Sequence, residues 1–185
     1  YIINLKTGAK TKFKEKFYRP SFSSTPRPSP DGLKFTYGED GHYYVYDLTT
    51  NTAVNITQKI SSSFVNTQDD HNVTKPLTPV IGWSSDSKYI LIRDLWDIWQ
   101  IAANGSSAVN LTVNGKQEQI VYTGRYTIDE EEKGFDLKKK NYFYLKLIRV
   151  LKRVNLIFLE VKEHCLIYKC YSQFYILIIY LIKFG

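Results

Sequence analysis

Hydrophobic and polar positions alternate in short runs along most of the first 136 residues, and polar turns break the runs. Phe35 and Tyr37 fall on one face of Leu33–Tyr37, and Ile90 and Ile92 on one face of Tyr89–Arg93. A two-residue period of this kind predicts strands that bury one side against a core. Three segments read strand, polar turn, strand: Tyr1–Lys10, Tyr44–Thr57 and Asp97–Thr112. The first and second start 43 residues apart, and the Ala53–Thr57 and Ala108–Thr112 ends of the other two are 55 apart and agree at four of five positions.

Each later copy is preceded by a related turn, Ser29-Pro30-Asp31-Gly32 or Ser84-Ser85-Asp86-Ser87. An Asp in this place can accept from backbone amides two residues on, and Gly or Ser supplies the bend into the next strand. Further hairpin turns are expected at Gly38-Glu39-Asp40-Gly41 and near Asp94-Leu95, followed by aromatic strands at His42–Leu48 and Trp96–Ile101. The repeating unit is therefore Ser-x-Asp turn, strand, hairpin, aromatic strand, polar turn and outer strand. An all-β repeat of this length predicts a partial β-propeller of four-stranded antiparallel blades. Tyr1–Phe13 would end one blade, with Arg19–Thr57 and Val80–Thr112 as the next two and Gln119–Thr127 opening another. The polar stretch Gln58–Pro79 is expected to be a surface loop with at most an edge strand.

Composition changes this picture at one end of the chain. With 43% hydrophobic and 23% charged residues, the 185-residue chain can build a core. The net charge of +7 would suit a nucleic-acid partner if it were clustered on the body. It is not: residues 1–140 carry 18 Lys and Arg against 16 Asp and Glu, and residues 141–185 carry 7 against 2. No nucleic-acid partner is expected. Methionine is absent and the first residue is Tyr1, the pattern expected of a fragment.

Residues 1–136 thus form the propeller portion, and residues 137–185 a hydrophobic basic tail that is non-propeller, helical or unstructured. Ile, Leu, Tyr and Phe make up 25 of its last 45 residues, and Ala, Asp, Thr and Pro are missing. Three readings stand. Tyr171–Phe184 could be a membrane tail, although 14 residues fall short of the roughly 20 that span a bilayer. Leu145–Lys162 could be an amphipathic basic helix on a membrane or partner. The favoured reading is translation out of frame after Lys138-Lys139-Lys140, which makes membrane contact the minor alternative.

The pairing of Ser29–Phe35 with Tyr44–Thr52 resembles the TolB-like blade repeat. The string Ser84–Ile101, followed by Ala108–Thr112 and the charged Asp129–Gly134, is similar to the N-terminal propeller of dipeptidyl-peptidase-like serine peptidases of the prolyl-oligopeptidase family. The resemblance covers about residues 1–136. It implies a propeller that gates or binds peptides for an α/β-hydrolase domain carrying a Ser-Asp-His triad, in a periplasmic or secreted parent. No Gly-x-Ser-x-Gly elbow is present in this chain, so the chain itself is expected to be inert. The alternative is a TolB-like interaction module without an enzymatic partner domain.

The resemblance also points to Glu130, Glu131 and Arg125 as substrate-binding candidates. Glutamates on such propellers hold a peptide's amino terminus, but there they stand beside an aromatic residue, whereas Thr127-Ile128 and Lys133-Gly134 flank the run here. A solvated loop is the competing reading. Arg93 and Arg125 could each meet a peptide carboxylate through the guanidinium fork, or pair at the surface. Asp97 is expected to tie neighbouring turns together, and Trp83, Trp96 and Trp99 to pack between blades. His42 and His71 lack any metal-ligand spacing, and Cys165 and Cys170 with His164 make a poor zinc site. Neither cofactor nor metal is expected. Asn55, Asn72, Asn104 and Asn110 match the N-glycosylation pattern, two of them inside the repeated outer strand.

Overall fold

The computed structural model describes residues 1–15, 25–126, 131–136, 141–148, 165–168 and 176–183. Strands β1 (Ile2–Ile3) and β2 (Lys10–Thr11) form a hairpin. A four-stranded antiparallel meander follows: β3 (Arg27–Pro28), β4 (Lys34–Glu39), β5 (His42–Asp47) and β6 (Thr52–Asn55). A second comprises β7 (Val80–Trp83), β8 (Tyr89–Arg93), β9 (Ile98–Ala102) and β10 (Ala108–Asn110). The short helix α1 (Gly115–Glu118) leads into β11 (Ile120–Tyr126). These sheets are consistent with propeller blades, as the repeats predict.

The three expected strand-turn-strand copies share one register. Ile3 pairs with Lys10, Tyr46 with Ala53, and Ile101 with Ala108, so seven residues separate the partners each time. In the first two hairpins an Asx carboxyl or amide oxygen caps the turn. Asn4 Oδ1 accepts from the Lys6 and Thr7 amides, and Asp47 Oδ1 from those of Thr49 and Thr50. The left-handed residue that closes the turn is Gly8 in one and Asn51 in the other.

Burial differs from the expectation of one covered face. Phe35, Tyr37, Tyr44 and Tyr46 share a face, on which the Phe13 ring lies edge-on to three of them. The opposite face, with Thr36, Tyr43 and Val45, is also sealed, Thr36 being 0% exposed. It meets Trp83, Ile90, Ile92 and Ile101 of the second sheet in one core. The reverse side of that sheet packs Leu91 and Ile98 on Ile120, Tyr122 and Phe135. The central strands β8 and β9 thus lie between two packed layers, whereas the outer face of β4 and β5 is covered by the Phe13 ring and stays partly exposed at Phe35 and Tyr44.

Two further expectations need correction. The Gln58–Pro79 connection has no strand beyond an isolated Val65–Leu77 bridge, and it is not confined to the surface: Phe64 and Leu77 are each 1% exposed and belong to the inter-sheet core. The tail, where described, is neither helical nor unstructured. Strands β12 (Asn141–Ile148), β13 (Cys165–Tyr168) and β14 (Ile176–Lys183) join β11 in an antiparallel sheet ordered β11-β12-β14-β13. A helix over Leu145–Lys162 is therefore excluded at Leu145–Ile148, which pairs with both β11 and β14. Ile-, Tyr- and Phe-rich sequence suits a pleated surface, and β11 offers it an edge. The swapped order of β13 and β14 departs from the meander of the two blades. Among the described residues, no helix is long and apolar enough to cross a membrane.

Candidate functional site

The two Ser-x-Asp turns are built alike and share three side-chain hydrogen bonds. Ser29 Oγ donates to Asp31 Oδ1 at 2.5 Å and accepts from the Lys34 amide, while the Leu33 amide donates to Asp31 Oδ1. Ser84 Oγ donates to Asp86 Oδ1 at 2.6 Å and accepts from the Tyr89 amide, while the Lys88 amide donates to Asp86 Oδ1. Gly32 and Ser87 take the same left-handed position. The turns also touch each other, because the Asp31 amide donates to Ser87 Oγ at 3.1 Å.

Residues 131–136 run alongside. The Phe135 amide donates to the Trp83 carbonyl and the Ser85 amide to the Phe135 carbonyl, giving a parallel bridge between Ser84 and Phe135. Gly134 permits this approach: a β-carbon there would stand 2.8 Å from the Ser85 nitrogen and the Trp83 oxygen. The turns and this segment enclose an open depression of about 500 Å³ lined by Pro30, Asp31, Ser85, Glu132, Gly134 and Asp136, together with Lys133. Its three carboxylates stand against the Lys133 ammonium and against Lys34, which pairs with Asp31 at 3.7 Å, so the field stays acidic by one charge and favours a cationic ligand group.

The Asp31 carboxyl is held below its ordinary value, first by the Ser29 hydroxyl and then by the Leu33 amide. Asp86 is held down first by the Ser84 hydroxyl. A depressed folded-state value means stabilisation that is complete above the unfolded carboxyl value near 4 and lost as pH falls through the folded one. The thermal midpoint is expected to stay level from pH 7 to about 5 and to fall below about 4. In the double variant Asp31→Asn, Asp86→Asn the acid limb should be shallower. Thermal melts across this range check it, and an unchanged limb would contradict it.

No protein-family model matches the chain, and no curated protein matches it either. A solved structure of oligogalacturonate lyase from Vibrio parahaemolyticus is similar over 80% of this chain and 35% of that one, at 17% sequence identity and a TM-score of 0.38. The chain thus spans about a third of that protein, and a likeness this distant says nothing about chemistry.

Of the sequence candidates, Glu131 is exposed beside the depression, and Glu132, the last residue of the same acidic run, lines it. Glu130 and the side chain of Arg125 lie outside the described residues. The backbone of Arg125 is in β11, opposite Tyr144. Asp97 is buried as expected, accepting from Thr112 Oγ1 at 2.6 Å and the Gly115 amide at 3.0 Å. Trp83 and Trp99 pack in or against the inter-sheet core, and Trp96 is partly buried. Asn55 and Asn110 do the same local work in their blades, each Oδ1 capping the amides two and three residues on. His42 Nδ1 lies 3.2 Å from Thr57 Oγ1. His71 pairs with Asp69 at 2.7 Å on an exposed turn, and Asp69 and Asp70 raise its affinity for a proton. Cys165 lies in β13, whereas Cys170 and His164 are outside the described residues.

Proposed function

We propose that this chain is part of a β-propeller that binds or gates peptides for a serine peptidase of the prolyl-oligopeptidase type, the nucleophile belonging to a separate α/β-hydrolase domain. The acidic depression where two equivalent blade turns meet the 131–136 segment carries the reading. A peptide's terminal ammonium is the group such a field attracts, and the Ser84–Ile101 string supports the peptidase connection. Among the described residues that line the depression none forms a nucleophile–base pair, so the role assigned is binding and not cleavage.

The test is calorimetric. Ala-Ala-Ala amide with a free amino terminus is expected to bind about tenfold more tightly than its N-acetyl form, with the advantage lost in Glu132→Gln. Reading the gene past codon 140 in every frame should also yield a Gly-x-Ser-x-Gly elbow. Equal binding of the two peptides, with no elbow in any frame, would favour the TolB-like interaction module instead.

A further inference from the structure

Arg93 ends β8, and its main chain is fully used. The amide donates to the Pro79 carbonyl at 3.2 Å, and the carbonyl accepts from Thr78 Oγ1. Its side chain is partly buried, and Nε is sealed from solvent without a hydrogen-bond partner, the sole buried side-chain nitrogen or oxygen in that state among the described residues. The neighbouring Asp94 would be the obvious counter-ion, but its carboxylate is already committed. Oδ1 accepts from the Trp96 and Asp97 amides at 2.7 and 2.6 Å, and Oδ2 from Ser62 Oγ and Trp99 Nε1 at 2.6 and 2.8 Å. The other group facing Arg93 is the Tyr43 phenol, which donates to the Thr78 carbonyl and which burial keeps neutral. Arg27 acts electrostatically on that same phenol, so among the described residues the charges around it are two guanidinium groups and one carboxylate, Asp94, which supports the Arg93 charge but has both oxygens bonded elsewhere.

A half-desolvated guanidinium whose one nearby carboxylate has both oxygens bonded to other donors is costly, and arginine does not relieve the cost by losing its proton. An anion from outside would relieve it. The planar guanidinium presents parallel N–H groups that match a carboxylate in two bonds. We propose that Arg93 is the seat of a carboxylate-binding site at the junction of the two blades, and that its ligand is the carboxylate of a short peptide. The peptide part of this statement rests on the function proposed above, whereas the carboxylate part does not.

The experiment follows the Arg93 Nε–H resonance of the ¹⁵N-labelled chain, assigned by its loss in Arg93→Lys, while Ala-Ala-Ala acid, its C-terminal amide or sodium acetate is added. The acid is expected to shift the resonance and to bind about tenfold more tightly than the amide, and Arg93→Lys, which keeps the charge but not the fork, to lose that preference. Should the lysine variant fail to fold, the acid-amide comparison on the unaltered chain decides alone. Equal binding of acid and amide would overturn the site, as would peptide binding that leaves Nε–H unmoved while the function proposed above stands. Acetate shifting Nε–H with no tripeptide binding would sustain the carboxylate site and sink the peptide reading.

Discussion

Trp83→Ala is expected to cost about 3–5 kcal/mol of unfolding free energy, enough to leave little of a typical single-domain stability. Trp83 is 4% exposed at the end of β7, packed in the core shared by Tyr43, Val45, Ile90 and Ile101. Its indole Nε1 donates to the Arg27 carbonyl of β3 at 3.1 Å, a bond that crosses from one sheet to the next. The alanine variant therefore removes a large buried ring and one inter-sheet bond together. Trp83→Phe separates the two effects: it keeps most of the volume and should cost only about 1 kcal/mol, the net worth of the lost hydrogen bond. Urea unfolding of both variants measures the difference. A loss below about 1 kcal/mol for Trp83→Ala would mean that the two sheets do not share a core as described.

That core was legible in the sequence only in part. The Ser-x-Asp turns and the seven-residue partner spacing depend on local chemistry, so they stand out in a single chain: a carboxylate two residues after a serine has nearby amides to bind, and a short turn fixes the register of its hairpin. Stacking of layers has no such local mark. Thr36 reads as the outward-facing partner of Phe35 and Tyr37, yet it is completely buried because a second sheet covers it. Phe64 and Leu77 sit in a polar connection with no period, and only the proximity of the two blades draws them inward.

The candidate site has the same division. Its turns could be read from Ser29–Gly32 and Ser84–Ser87, but the third wall is made by a parallel bridge between Ser84 and Phe135, far apart in sequence. The family resemblance drew attention to Glu130 and Glu131, while the docking of Phe135 and Gly134 places Glu132 along the depression. Gly134, whose missing side chain admits the Trp83 and Ser85 backbone, carries no mark of that role in the sequence. Arg93 shows the limit from the other side. Its possible pairing at the surface was undecidable until the four donors on Asp94 were known.

Those four donors make Asp94→Ala the second large prediction, with an expected loss of about 3 kcal/mol or more. Asp94 is 5% exposed, and its carboxylate joins three pieces of chain: the hairpin amides of Trp96 and Asp97, the Trp99 indole of β9, and Ser62 of the long connection. Alanine would leave the hairpin amides and the indole without their acceptor in a place largely closed to water, and would free the connection that carries Phe64 into the core. Asp94→Asn keeps one accepting oxygen but turns an NH₂ group toward donors, so about half the loss should remain. A Ser62→Ala, Asp94→Ala double-mutant cycle isolates the link to the connection, with a coupling of about 0.5–3 kcal/mol expected for groups in direct contact. Additive losses in that cycle would show that the hairpin, and not the connection, is what Asp94 holds in place. Removing Asp94 should also leave the Arg93 cation without its nearest negative charge, so the variant is expected to bind acetate more tightly than the unaltered chain at low salt.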